Sequence, residues 1–254
     1  IHKGGFHGNP PYYVFGSIGG FVGGDTIAGI LASELQTKHG FSLYIDLGTN
    51  GEVALVGQKT ILALSTAAGP AFEGAGLRCG SIAVRGAIDR VTYARGFRIH
   101  SIEGGKPRGF CASGLIDLLA VLLEIGWLKE DGRMMRKVTI KNIPVDQEDI
   151  RKLQLAIGAV HTGVRFLLDR AGIMPESINE TVITGEFGSH LNKDSLMRIG
   201  IIPERLKRVR FENDLPLKGA IKALLDNKNI EEAETIRSSS THIDLALQPD
   251  FQKR

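Results

Sequence analysis

Three short apolar runs, "SLYID", "EVALV" and "TILALS", succeed one another between residues 42 and 65 with only "LGTNG" and "GQK" between them. Strands joined by connections this short have no room for a crossover, so they are antiparallel neighbours in a β-meander. A chain that carries such a meander is committed to a sheet core. The segments beyond residue 65 decide which kind.

After the meander comes "STAAGPAFEGAGLRCG", with four glycines and a proline in sixteen residues, which reads as a structured loop holding at most a short helical turn. Alternating segments from about 82 to 110 predict further hairpins. Ser113 then caps "GLIDLLAVLLEI", a helix apolar on nearly all sides and closed by Gly126, which places it centrally. A longer helix is expected from Asp146 to Gly172, with Ile150, Leu153, Ile157, Val160, Val164, Leu167 and Leu168 on one face and Arg151, Lys152 and Arg165 opposite. "ETVIT" is a short strand, "GEFGSH" a glycine-bearing loop, and "NKDSLMRIG" an amphipathic helix. Two shorter helices are expected near 216–226 and 230–238. Ahead of the meander, Asp25 is expected to cap a helix carrying Ile27, Ile30, Leu31 and Leu35, with Gly40 ending it. Meander, helix, strand, helix, strand, helix is the order of a ribonuclease H-like α/β lobe, a mixed sheet with flanking helices and β-hairpin insertions.

Composition narrows the function classes. The net charge is +3, and the basic residues are spread along the chain rather than gathered in an arm with interleaved aromatics, which argues against nucleic acid as a partner. "ERLKRVR" at 204–210 reads as a solvated edge. Cys79 and Cys111 are the two cysteines, too few to ligate an iron–sulfur cluster, which takes about four, or to build a secreted disulfide framework. No apolar run approaches the roughly 20 residues of a membrane span, and the first residues have no signal-peptide core. A cytoplasmic protein is therefore expected. The non-Met start and the ending "DFQKR" suggest a piece of a longer polypeptide.

The turn in "YIDLGTNGE", residues 44–52, supports two readings. Asn50-Gly51 is a two-residue hairpin signal that calls for φ > 0 and needs no ligand. Alternatively, the backbone N–H groups around Gly48 and Gly51 form a concavity for anionic oxygen, Thr49 and Asn50 add donors, and Asp46 holds Mg²⁺ through water or orients an attacking water. The later loop "TGEFGSH" at 184–190 favours the second, because a nucleoside can rest on a backbone free of bulky side chains.

Taken in order, "YIDLGTNGEVAL", "STAAGPAFEGAGLRCGSIAVRGAID", "GFCASGLIDLLAVLLEIG", "TGEFGSHL" and "LPLKGA" resemble the reductive activators of corrinoid proteins. That family lies within the acetate and sugar kinase, heat-shock chaperone and actin superfamily, and the resemblance runs over nearly the whole chain. It implies one lobe, the second, of an actin-like ATPase domain spanning residues 1–254. It further implies that ATP and Mg²⁺ are the cofactors, that a corrinoid protein of a methyltransferase system is the partner, and that ATP is coupled to the return of Co(II) corrinoid to Co(I). The iron–sulfur cluster that supplies the electron would sit in a separate domain outside this chain.

Residue by residue, the resemblance places Asp46, Gly48, Thr49, Asn50 and Gly51 at the phosphates, with Asp46 as the catalytic and Mg²⁺-linked carboxylate. Gly185, Phe187 and Gly188 lie under the nucleoside. The stretch from Ala68 to Gly74, with Gly69, Glu73 and Gly74, borders the cleft. Glu186 departs from the family, which tends to have a small residue there, and sets a carboxylate where it would repel phosphate if turned inward. Cys111 reads as a small packed residue rather than a redox thiol. His161 reads as partly buried core, and His190 is the one histidine beside the nucleoside loop. A paired Glu52 and Glu73 would be a glycosidase signature, which carries little weight without a separation. Two other functions fit the same residues: a small-molecule kinase of the superfamily, and a non-catalytic interaction module forming a homodimer.

Overall fold

A computed structural model of the chain describes residues 2–3, 11–185 and 191–248. At the amino end β1 (His2–Lys3) pairs with β2 (Pro11–Tyr12), and α1 (Gly24–Ser33) comes next. The meander is β3 (Phe41–Leu47), β4 (Gly51–Val56) and β5 (Ile61–Thr66). An insertion of β6 (Ala87–Tyr93), β7 (Phe97–Ser101) and β8 (Gly109–Phe110) leads to α2 (Ala112–Glu124), a small hairpin of β9 (Val138–Ile140) and β10 (Ile143–Val145), and α3 (Gln147–Ala171). The remainder is β11 (Ile178–Gly185), α4 (Lys193–Arg198), β12 (Val209–Phe211), α5 (Leu215–Leu225), α6 (Asn227–Ser238) and β13 (Ser240–His242). No helix among the described residues is long and apolar enough to cross a membrane.

The central sheet has the order β12-β11-β3-β4-β5-β13. β4 runs antiparallel to both β3 and β5, while β11 runs parallel to β3 and β12 parallel to β11. This is the ribonuclease H-like arrangement expected from the sequence. Each face of the sheet carries its own core. Leu43, Ile45, Leu47, Val53, Leu55 and Leu64 join residues of α2 and α3 on one side. Tyr44, Ala54, Val56, Ala63 and Val182 meet Ile27, Ile30 and Leu31 of α1 and Ala233 and Ile236 of α6 on the other.

α3 matches its expected span closely: the Asp146 side chain accepts from the N–H of Glu148 and Asp149, and Gly172 ends the helix at φ 66°. Three terminus expectations are corrected. The N-cap of α1 is Gly23, and Asp25 lies inside the first turn, accepting from the Thr26 N–H at 2.8 Å. That helix stops at Ser33 rather than Gly40, because Glu34 takes the left-handed conformation and the chain tightens into a 3₁₀ turn from Leu35 to Thr37. α2 starts from Cys111, not Ser113; the Cys111 N–H is tied to the Ile88 carbonyl at 3.0 Å, which fixes the start of the helix two residues earlier. Residues 112–122 of α2 are buried all round, as its composition requires.

Candidate functional site

Parallel strands that end side by side leave a crevice at their carboxyl ends. Here β3 and β11 end in register, with Thr184 beside Asp46 and Gly185 beside Leu47. A cleft of about 400 Å³ opens at this point, walled by Asp46, Leu47, Gly48 and Thr49, by Glu73, by Thr184 and Gly185, and by Asp214, Pro216 and Leu217. Gly185 is required by geometry: its φ is 128°, and a Cβ there would stand 2.2 Å from the Leu47 carbonyl oxygen. The floor of the cleft is therefore bare backbone.

The hairpin that enters the cleft is not the two-residue Asn-Gly turn. Leu47 pairs with Gly51, so the loop is Gly48, Thr49 and Asn50, closed by the Gly48 N–H donating to the Asn50 carbonyl at 3.0 Å. None of these residues has positive φ. A turn of the primed kind does occur elsewhere, at Lys141 and Asn142 between β9 and β10, with φ 51° and 68°. Gly51 is small for packing instead, since a Cβ there would meet the Thr66 hydroxyl at 2.7 Å and Val160 at 3.0 Å. The φ > 0 expectation for Asn50-Gly51 is thus replaced by a crowding requirement on Gly51.

Asp46 is held by a buried partner. The Tyr44 hydroxyl donates to Asp46 Oδ2 at 3.2 Å, and Gly29 of α1 makes room for it: a Cβ at Gly29 would lie 1.9 Å from that hydroxyl. Burial raises Asp46 to about 6, opposed by the Tyr44 hydrogen bond and reinforced by the charge of Asp25. Directly across the ladder, Glu52 is raised to about 7, mainly by burial, while Ser65 donates to it at 3.1 Å. Burial likewise pushes the Tyr44 phenol well above its ordinary range. A carboxylate seated this way exchanges protons near neutrality and has a strong incentive to meet a cation. Among the described residues no three His, Cys, Asp or Glu side chains are grouped to hold a metal alone.

The structure gathers Asp46, Gly48, Thr49, Glu73 and Gly185 into one wall, with the Thr49 hydroxyl donating to the Glu73 carboxylate. Asn50, Gly51, Gly69 and Gly74 do not line it. Gly69 and Gly74, at φ 72° and 75°, flank the 3₁₀ turn Pro70–Glu73 and so present Glu73 to the cleft. Glu186, Phe187, Gly188 and His190 lie outside the described residues. His161 is partly buried, its Nδ1 2.6 Å from the Gly200 carbonyl, as a core residue would be. Cys111 is packed, with Sγ 3.4 Å from the Ile88 carbonyl. Sequence reasoning missed Thr184, Asp214, Pro216 and Leu217. The signals were present in "TGEFGSHL" and in the proline that opens α5, whose first turn receives no side-chain cap from Asp214.

A more open groove of about 1200 Å³, between Leu123, Lys129, Glu130, Asp194, Arg198 and Arg205, is larger. Its charges are mixed, and neither Asp46 nor Glu52 lines it, so the smaller cleft is the candidate site.

Comparison with known proteins agrees with this geometry. A family model described as the C-terminal domain of RACo, the ASKHA domain, matches residues 40–254. Corrinoid activation enzyme RamQ of Eubacterium limosum is 34% identical over 266 residues, covering 92% of this chain and 44% of that protein. The [Co(II) methylated amine-specific corrinoid protein] reductase of Methanosarcina barkeri is 24% identical over 257 residues, covering 91% and 48%. A solved reductive activator for corrinoid,iron-sulfur protein superposes with a TM-score of 0.84 at 31% identity, over 95% of this chain and 43% of that one. The chain spans a little under half the length of each.

Proposed function

The chain belongs to the family of the C-terminal, ASKHA domain of RACo, an actin-like ATPase fold, and on that premise we propose that it is the nucleotide-binding lobe of an ATP-dependent reductive activator of corrinoid proteins. The observation that carries this reading is Asp46: a half-buried carboxylate held by Tyr44 at the carboxyl ends of two parallel strands, with the 48–50 hairpin beside it.

The residues present fit a magnesium nucleotide. Gly48 and Gly185 leave backbone exposed where phosphate must approach closely, the first turn of α5 offers N–H groups without a side-chain cap, and Asp46 supplies the anionic anchor for a hydrated cation. Bound Mg·ATP contributes the free energy of hydrolysis. The lobe itself would bind and orient: the Thr49 and Asn50 N–H groups of the hairpin would be offered to the phosphates, Asp46 would hold a hydrated cation or orient a water, and the Tyr44 hydrogen bond holds Asp46 in position. The lobe facing it, and the iron–sulfur domain that delivers the electron, would come from the rest of the relatives' length. Nucleotide turnover would then drive lobe closure and alter affinity for the corrinoid partner, in which Co(II) is returned to Co(I).

Asp46→Asn in the full polypeptide tests the proposal. The substitution keeps shape and removes the charge, so ATP turnover and corrinoid reduction should fall at least about tenfold, equivalent to about 1.4 kcal/mol in the barrier. The melting temperature should hold or rise, because a half-buried charge is gone. Undiminished hydrolysis in a folded variant would reduce this stretch to a hairpin.

A further inference from the structure

The even spread of basic residues expected from the sequence fails in one place. Residues 82–110, which include the insertion β6 to β8, hold Arg85, Arg90, Arg95, Arg98, Lys106 and Arg108 against Asp89 and Glu103, a net +4 where the whole chain carries +3. All six basic residues are exposed. Among the described residues none of the six forms an ion pair, whereas Arg205, Arg208, Arg210, Lys218, Lys222 and Arg237, nearer the carboxyl end, each meet a glutamate.

The fold gathers this unpaired charge on one small sheet, ordered β7-β6-β8. Arg90 stands opposite His100 and Thr92 opposite Arg98, so Arg90 and Arg98 share a face of the β6–β7 hairpin, while Val91 on the other face is buried in the core with residues of α2. At the hairpin tip Arg95 holds φ 60°, a conformation that glycine or asparagine adopts more easily. The other three meet around two glycines. A Cβ on Gly86 would stand 2.4 Å from the Lys106 carbonyl oxygen and 3.3 Å from Arg108 Cγ, and one on Gly105 would stand 3.0 Å from Arg85 Cγ. Beside Arg85, Ile82 and Val84 are 67% and 38% exposed, and apolar side chains accompanied by arginine are the make-up of a protein interface. Tyr93, Phe97 and Trp127 pack edge to face on one another with Arg136 over the Trp127 ring, so the aromatics brace the hairpin and do not stand as platforms for bases.

We propose that this insertion is the docking surface for an acidic face of the corrinoid protein partner. The inference rests on the reductive-activator reading. Clustered arginines repel one another, and an opposing surface of carboxylates relieves that repulsion, steers the encounter and fixes the orientation of the complex. The surface also adjoins the cleft, because Glu73 lines the cleft and, with Ile82 and Ile102, the hollow at the foot of the insertion. A partner seated there lies against the loop that borders the nucleotide.

The test uses the full polypeptide and, as probe, the Co(II) corrinoid protein of the host's methyltransferase systems that wild type reduces with ATP. Arg90→Glu/Arg98→Glu is compared with Lys59→Glu/Lys228→Glu, an equal change of charge at exposed residues outside the insertion. Affinity for the probe at low and high salt, ATP hydrolysis without the probe, and melting temperature are measured for each. The insertion variant should bind the probe at least about tenfold more weakly at low salt, and added salt should narrow the gap, since exposed charges are screened. Its ATP hydrolysis alone should stay within about twofold of wild type and its melting temperature within about 2 °C. The control should bind the probe within about twofold of wild type. Should the reversal unfold the protein, Arg90→Gln/Arg98→Gln carries the same test, with about threefold weakening expected.

Unchanged affinity in the insertion variant, while wild type reduces the probe, overturns the proposal and leaves the functional reading standing. Equal weakening in the control overturns it as well, since net charge and not this surface would then attract the partner. So does a fall in ATP hydrolysis without the probe that matches the lost affinity. A DNA duplex that wild type binds and the insertion variant releases, with affinity for the probe unchanged, would assign the surface to nucleic acid instead. Wild type that reduces no corrinoid protein overturns the functional reading, and this proposal with it.

Discussion

The two faces of β3 differ in one residue at the strand's carboxyl end, and that difference separates fold from function. On one face Leu43, Ile45 and Leu47 all enter the larger core under α3. On the other, Tyr44 packs against α1, but the next residue on that face is Asp46, opposite Glu52 and beside Thr184. Apolar alternation persists to the end of the strand on the first face and is broken on the second. Where it is broken, the polar groups are buried, raised in pKa or left without partners, all of which reduce folding stability. A sheet keeps such groups when a ligand compensates for them.

The largest effect should come from the apolar face. Ile45 is fully buried, and Ile45→Ala leaves a cavity in a packed core, so it should cost about 2–5 kcal/mol in urea unfolding of this chain. Nucleotide affinity of the molecules that remain folded should be unchanged. A cost below about 1 kcal/mol would mean the two faces do not divide the work this way.

The polar face has the opposite signature, and it depends on pH. Burial raises Asp46 from 3.8 to about 6 and Glu52 from 4.5 to about 7. Between about pH 4 and 7 the folded protein therefore keeps protons that the unfolded chain has released, and stability falls as pH rises through that window. Glu52→Gln removes its share of the fall. The variant should gain roughly 1 kcal/mol on wild type between pH 5 and 8, a modest figure because the side chain keeps contact with solvent. Parallel profiles for the two proteins would place the titrating protons elsewhere.

The same contrast governs how much of the molecule was legible in the sequence. The meander, α3 with its Asp146 cap, and the strand order were legible because repeated apolar spacing and side-chain caps are local signals. Asp46 was legible as a charge interrupting a strand. Thr184 was not, because a threonine in "ETVIT" is an ordinary strand former, and only the register against Asp46 shows where its hydroxyl stands. Nor was the turn: Asn50-Gly51 carries the local preference for a two-residue hairpin, but Leu47 pairs with Gly51 and leaves a three-residue loop, with Gly51 kept small because a Cβ there would crowd Thr66 and Val160. Cross-strand register and close packing are not readable from a turn dipeptide.

The smallest effect concerns Glu73, which joins the glycine-rich loop to the hairpin by accepting the Thr49 hydroxyl proton. Its carboxylate has two consequences on the cleft wall: it ties the loop to the turn, and it sets a negative charge where an anionic ligand would lie. With its only hydroxyl proton committed, Thr49 has its backbone N–H to offer a phosphate but not its side chain. Glu73→Gln separates the two consequences, because the amide oxygen still accepts from Thr49 while the charge disappears. Stability should stay within about 0.5 kcal/mol. ATP affinity should rise about two- to fivefold, less than about 1 kcal/mol, and the gain should shrink as salt is added, since the repulsion acts across solvent. A fall in affinity would reverse the assignment: the charge would then be holding the ligand through its hydrated cation, and the anionic anchor of the polar face would extend from Asp46 across the hairpin to Glu73.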